Sequence, residues 1–224
     1  MNRTLLPLSM SSLTQLPEQC RACVSWEVPS AAAVQIDGEQ ASFEKEVWFS
    51  GVMLTWGSAG QIVMVDDQPA GFALYAPPTA VPGALAFPSG PVSPDAVLLT
   101  TARILPEFQG RGLARYLMNG VVTALTSRGV RAVELFGLED RAAADAVDAD
   151  VPHCLLPANF ARAVGFTDIQ PHHRYPRLRF ELASGIGWKE QVEAALEQLF
   201  TPISVPASPV PQPALVSVHS RHPR

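Results

Sequence analysis

The sequence predicts an α/β fold, and two observations carry that expectation. The apolar run Ala96 to Ile104 leads through Gln109-Gly110-Arg111-Gly112-Leu113-Ala114 into a segment whose apolar residues Leu113, Leu117, Val121 and Leu125 recur at helical spacing. That succession is a strand, a glycine-bearing turn and a helix. Upstream, the apolar runs Gln61–Val65 and Ala70–Tyr75 flank Asp66-Asp67-Gln68-Pro69, the pattern of a β-hairpin.

The remaining elements follow in chain order. Residues 1–19 read as a flexible leader, and Cys23–Val28 is a strand candidate closed by Pro29. Ser42–Trp56 predicts a helix, with Phe43, Val47 and Leu54 set among charges. A Pro/Gly/Ala-rich loop runs from Pro77 to Pro94 after the hairpin. The helix that opens at Leu113 is expected to end at Arg128-Gly129, where a basic last turn meets a glycine. Val130–Phe136 is a strand, Leu138–Pro152 an acidic, alanine-rich mobile stretch, and Leu156–Val164 a short helix. A strand starts at Gly165–Ile169, the chain turns at Pro171-His172-His173, and Leu178–Leu182 closes the sheet. Trp188–Phe200 places Val192, Ala195, Leu196 and Leu199 on one side of an appended amphipathic helix. From Thr201 onward the proline-interrupted sequence reads as a disordered tail. The expected organisation is therefore a leader (1–19), one domain (20–183), an appended helix (184–200) and a tail (201–224).

The segment after Ile104 is a ready anion site. The first N–H groups of a helix have no intrahelical acceptor, and the macrodipole favours negative charge there. Gly110 and Gly112 let a phosphate approach the main chain, and Arg111 and Arg115 add positive charge. Two familiar phosphate loops do not fit. A Walker loop requires Gly-x-x-x-x-Gly-Lys-Ser/Thr, and a dinucleotide fingerprint requires a small residue where Arg115 stands.

What the segment resembles is the acetyl-CoA signature of the GNAT N-acetyltransferases, Gln/Arg-x-x-Gly-x-Gly/Ala, met by Gln109, Gly112 and Ala114. The flank Ile104-Leu105-Pro106-Glu107-Phe108 is similar to that family's aliphatic-x-Pro-Glu-aromatic approach to the turn. Phe160-Ala161-Arg162-Ala163-Val164-Gly165-Phe166 resembles its late aromatic-Tyr-x-x-x-Gly-Phe segment, with Ala161 in place of the frequent tyrosine. Cys20-Arg21-Ala22-Cys23 with Trp26-Glu27 is also similar to a bacterial subgroup of these enzymes. The resemblance covers residues 20–183 and implies a mixed, mostly antiparallel sheet flanked by helices.

It further implies direct attack of a primary amine, small molecule or peptide, on acetyl-CoA in a ternary complex. The N–H groups of Gly110, Arg111, Gly112, Leu113, Ala114 and Arg115, with Gln109, would hold the pyrophosphate. Main-chain groups of Ala102, Arg103 and Ile104 would align with pantetheine, and Asn159 and Phe160 fall where relatives touch that arm. A backbone N–H near Ile104 would stabilise the oxyanion. An alkyl amine has a pKa of about 10.4, so a base or a desolvated site must supply its neutral form. Glu134 is the first candidate base, on the face of Ala132 and Phe136 near its strand's C-terminal end; a salt-bridged strand glutamate is the alternative. Glu27 is the second candidate, and Glu107 reads as a surface residue of the turn. With alanine at 161, Cys154, His153, Tyr175 or water would protonate the leaving thiolate. Cys154 is also considered as an acetylated nucleophile, against a buried inert thiol.

Other features are weaker. Cys20-x-x-Cys23 with Cys154 and His153 lacks the fixed four-ligand spacing of a structural zinc site, so no metal is expected. His172-His173 reads as a polar turn, and the acidic run Glu139, Asp140, Asp145, Asp148 and Asp150 as a solvated face. A net charge of −5 argues against general nucleic-acid binding. No apolar stretch has signal-peptide or membrane-span length, and three cysteines make no disulfide framework, which together predict a cytoplasmic protein; a homodimer is compatible with the sequence. The alternative function is a non-catalytic acyl-CoA-binding regulatory module that keeps the cofactor turn and lacks the chemistry.

Overall fold

The computed structural model describes residues 2–139 and 154–182. Within them the chain forms β1 (Arg3–Pro7), α1 (Met10–Leu13), α2 (Glu18–Arg21), α3 (Ser30–Ala33), α4 (Gly38–Trp56), β2 (Gly60–Val65), β3 (Gln68–Ala76), β4 (Ala96–Ile104), α5 (Leu113–Thr126), β5 (Ala132–Leu138), β6 (Leu156–Pro157), α6 (Ala158–Ala163), β7 (Thr167–Gln170) and β8 (Arg177–Glu181). One sheet takes the order β1-β2-β3-β4-β5-β8-β7, with β6 on the side of β5. Among the described residues, only β4–β5 and β5–β6 pair in parallel. The mixed, mostly antiparallel architecture expected from the sequence is therefore what the chain adopts.

Strand alternation sorts the core into two layers. Phe72, Leu74, Leu98, Ala132 and Phe136 face Phe49 and Val52 of α4 together with Trp26, Leu13 and Leu16. Ala73, Tyr75, Val97, Leu99, Val133 and Leu135 face Leu117, Val121 and Leu125 of α5. The α4 helix starts where the Asp37 carboxylate accepts a hydrogen bond from the Gln40 N–H at 2.9 Å. It buries Ala41, Lys45, Phe49 and Val52, a stripe at helical spacing, while Phe43, Val47 and Leu54 face solvent.

Two N-terminal expectations need correction. The supposed leader contains β1, which pairs antiparallel with β2 from Arg3↔Val65 to Pro7↔Gln61. Its Leu5 seats on α5 at Gly120, where an added Cβ would come within 1.8 Å of Leu5 Cδ2. Cys23–Val28 is a turn rather than a strand, with Val24 C=O accepting from the N–H groups of Glu27 and Val28. Trp26 buries itself there by stacking on Phe87, with ring centroids 5.0 Å apart, so the apolar run is spent on packing instead of a ladder. The acidic stretch beyond Glu139, the appended helix and the tail lie outside the described residues.

Because β1 covers the β2 edge, a chain beginning at Leu8 is expected to melt several degrees below the full chain by circular dichroism. At this chain length about 1 kcal/mol moves Tm by roughly 2–4 °C. An unchanged Tm would mean that the strand contributes nothing, as a loose leader would.

Candidate active site

The site arises where β4 parts from β5. The two strands pair only over Ala96–Leu98 against Ala132–Glu134, after which β5 continues alongside β6 at Gly137↔Leu156 and Leu138↔Pro157. Meanwhile β4 stays on β3 as far as Gly71↔Ile104. The β3–β4 register shifts between Leu74↔Thr101 and Tyr75↔Leu99, so Thr100 is the extra residue of a bulge. A bulge bends its strand and reverses which residues face each layer beyond it. Val97 and Leu99 meet the α5 layer before the bulge, and Ala102 and Ile104 meet it after. The Thr100 hydroxyl donates to Leu74 C=O at 3.1 Å and pins the irregularity.

A cavity of about 660 Å³ fills the resulting cleft. Thr101, Ala102, Arg103 and Ile104 form one wall; Leu155, Leu156, Pro157 and Phe160 form the other. Cys20, Cys23, Lys45 and Cys154 also line it, and Gln109 and Ala114 bring it to the glycine turn.

That turn is built for close main-chain approach. Gly110 and Gly112 both have φ of 72°, and a Cβ on either would meet nothing within 4 Å. Gly112 is the N-cap of α5, whose first-turn N–H groups lack intrahelical acceptors. Phe108 and Leu113 anchor the turn in a small core with Val63, Val65 and Ala70. The Gln109 amide donates to Ile104 C=O at 3.2 Å, tying the turn to the end of β4. Arg111 is exposed and lies over the Phe108 ring, 5.6 Å from its centroid. Of the expected cofactor residues in this stretch, Ala102, Arg103, Ile104, Gln109 and Ala114 line the cleft, and Leu113 is buried in the small core beneath the turn.

At the second wall Phe160 faces the cavity and Ala161 is wholly buried in the α5-side core. The position compared with the family's tyrosine therefore points away from the cleft. Asn159 is exposed, and its side-chain oxygen accepts from Phe160 N–H at 2.7 Å, a local helix-end role rather than a wall of the cavity.

Glu134 is the main correction. Its carboxylate is fully buried and held by Arg177 Nη1 at 2.6 Å and Arg179 Nη1 at 3.0 Å, while Ser93 N–H donates to it at 3.1 Å. Burial pushes its pKa up, but the Ser93 hydrogen bonds and the two guanidinium groups outweigh that and hold it below the usual carboxylate range. It stands level with Leu98, before the cleft opens, and does not line the cavity. Arg179 also donates to Asp95 and Glu181, and Arg177 to Ser89 C=O and the Ser93 hydroxyl, so this carboxylate belongs to a structural ion-pair network set back from the cavity.

Glu27 is also enclosed. It accepts from Lys45 Nζ at 2.5 Å, and neither side chain is more than 3% exposed. Burial opposes the Lys45 charge, but Glu27 and then Cys23 outweigh it and raise the ammonium pKa. Lys45 was missed as a site residue; its place in the Ala41, Phe49 and Val52 stripe was the available signal. Tyr175 packs edge-on to Phe87 at 5.5 Å, away from the cavity wall. His172 Nδ1 accepts from the N–H groups of Arg174 and Tyr175, as befits a polar turn. His153 lies outside the described residues.

Three sulfurs reach the cavity, and two of them meet. Cys23 Sγ and Cys154 Sγ are 3.9 Å apart, and the Trp26 indole N–H donates to Cys154 Sγ at 3.0 Å. The Cys154 hydrogen bond, helped by the Lys45 charge, brings the Cys23 thiol down to about 5 against the pull of burial. The same hydrogen bond, with burial, pushes Cys154 well above the ordinary thiol range. Cys154 is accordingly the more firmly protonated of the two thiols. Cys20, the other half of the Cys-x-x-Cys pair, instead lies 3.6 Å from Arg103 Nη1. Among the described residues no three His, Cys, Asp or Glu side chains gather as a metal-binding group, and no helix is long and apolar enough to cross a membrane.

Comparison with known proteins agrees with this fold. The PaiA N-acetyltransferase of Thermoplasma acidophilum, solved in complex with coenzyme A, superposes with a TM-score of 0.52 at 12% identity, over 81% of this chain and 99% of its own. An N-acetyltransferase from Staphylococcus aureus Mu50 gives 0.51 at 10% identity over 81% and 99%. These likenesses are of fold. No curated protein sequence matches the chain. The model of the acetyltransferase (GNAT) family matches residues 23–147, more than half of the sequence, and the chain belongs to that family.

Proposed function

We propose that this acetyltransferase moves the acetyl group of acetyl-CoA to a primary amine by direct attack in a ternary complex. The observation that carries the reading is the cleft between β4 and β5, which ends on the Gly110–Arg115 turn. The pyrophosphate fits the first-turn N–H groups of α5, where phosphate charge is favoured. Pantetheine fits along Ala102–Ile104, beside the stretch of β4 that β5 has left, and Phe160 supplies apolar contact from the opposite wall. In that pose a main-chain N–H at the end of β4 faces the thioester oxygen and stabilises the developing negative charge.

The cleft handles the amine by desolvation and charge rather than by Glu134. Cys23, ionised at neutral pH, places a negative charge on the wall that attracts an ammonium ion. Cys154 keeps its proton and serves as a hydrogen-bond donor toward a departing thiolate, in the part that a tyrosine hydroxyl takes in relatives. A non-catalytic acyl-CoA-binding module is the second reading, favoured by one observation: among the described residues no carboxylate lines the cavity.

Thiol release from acetyl-CoA, measured over amino acids, polyamines, aminoglycosides and peptide N-termini, separates the two. The enzyme reading expects release that depends on one class of amine and rises with pH as neutral amine accumulates. Saturable acetyl-CoA binding with no amine-dependent release across the panel would favour the binding module.

A further inference from the structure

The paired thiols on the cavity wall have a chemistry of their own. Cys23 follows α2 and Cys154 precedes β6, 131 residues apart in sequence, yet their sulfurs are in contact at 3.9 Å. Their surroundings differ in a way that assigns roles. Cys23 has the Ser25 hydroxyl at 3.5 Å and the Lys45 charge, itself held in place by Glu27, to favour its anion. Cys154 accepts the Trp26 indole N–H, while burial and the neighbouring Cys23 raise its pKa. A thiolate open to a cavity with a protonated thiol against it is the arrangement of a reactive cysteine and its resolving partner.

We propose that Cys23 and Cys154 form a hydroperoxide-reactive dithiol that closes to an intramolecular disulfide across the wall of the cavity. The Cys23 thiolate attacks the terminal oxygen of the hydroperoxide. A sulfur–oxygen bond forms, the oxygen–oxygen bond breaks, and hydroxide or alkoxide leaves with the electron pair. Cys23 is oxidised to a sulfenic acid by two electrons, and the peroxide is reduced by the same two. The departing oxyanion takes the Cys154 proton. The Cys154 sulfur then attacks Cys23 Sγ, the sulfur–oxygen bond breaks, and hydroxide leaves. Cys20 stays out of the reaction, facing Arg103. The bond would join the turn after α2 to the approach to β6 and abolish the Cys23 charge beside Lys45, altering the wall where the amine is proposed to bind. No step uses acetyl-CoA, so this inference and the acetyl-transfer reading fail independently.

The test treats the full chain with stepwise equivalents of hydrogen peroxide, quenches by alkylation and maps peptides without reductant. Free thiols are expected to fall from three to one per chain, with a linked Cys23–Cys154 peptide that dithiothreitol releases. In Cys154→Ser the oxidation is expected to stop at a Cys23 sulfenic acid, trapped by dimedone. In Cys23→Ser, Cys154 is expected to react at least about tenfold more slowly than Cys23 does in the wild type. A bridge that includes Cys20, first oxidation at Cys154, or both thiols remaining free in excess peroxide would overturn the proposal. If either variant folds poorly, the wild-type peptide map decides.

Discussion

Gly112→Asp is expected to lower acetyl-CoA affinity about a hundredfold while leaving the fold intact. The residue sits at φ of 72° with open space around the position of a Cβ, and aspartate is among the residues that tolerate this conformation. Its carboxylate would stand at the N-terminus of α5, where the pyrophosphate is proposed to bind. Two like charges about 4 Å apart near a protein surface repel by roughly 4 kcal/mol, and part of that is screened. A residual of about 3 kcal/mol corresponds to about a hundredfold in Kd. Gly112→Ala separates charge from backbone strain: it carries only the left-handed penalty, of about 1 kcal/mol, and should weaken binding far less. Calorimetric titration with a native circular dichroism spectrum checks both. Equal losses for the two variants would show that strain, not charge, governs the site.

Glu134→Gln is expected to cost about 3 kcal/mol of stability and leave acetyl-CoA affinity unchanged. The substitution strips the charge partner from Arg177 and one of the partners of Arg179, and breaking a buried pair on one side is strongly destabilising. The pH dependence has a definite sign. Glu134 has a folded pKa below its unfolded value of about 4.3, so its contribution is full above that value and is lost as pH falls through the folded pKa. The wild type should therefore lose more stability on acidification than the variant, whose glutamine does not titrate. Denaturant melts across the acid range read this directly. Wild-type stability combined with a large loss of turnover at neutral pH would restore Glu134 as a base.

The sequence pattern located Glu134 on the correct face of its strand and at the wrong depth. Alternation fixes the face, but the parallel register Leu98↔Glu134, and the arrival of Arg177 and Arg179 from β8, are set by long-range pairing. The bulge at Thr100 is equally invisible locally, since Ala96–Ile104 reads as one continuous strand, yet the bulge and the parting of the two strands create the cleft. What was legible was local chemistry. The glycines of the turn, the Asp-Asp hairpin and the α5 stripe each announce their geometry within a few residues. Strand β1 was not, because its surface is mostly exposed and carries little alternation. Lys45 was passed over for the opposite reason: a charge at a core-facing position has no evident role until its partner, Glu27, is placed.

Hydrogen–deuterium exchange of the full chain with and without saturating acetyl-CoA tests the central claim most directly. The account predicts slowed exchange in peptides covering residues 102–104 and 110–115, with little change at 132–134, where β4 and β5 are already paired. Binding that leaves 110–115 unprotected while slowing exchange elsewhere would contradict the assignment of the β4–β5 cleft as the acetyl-CoA site.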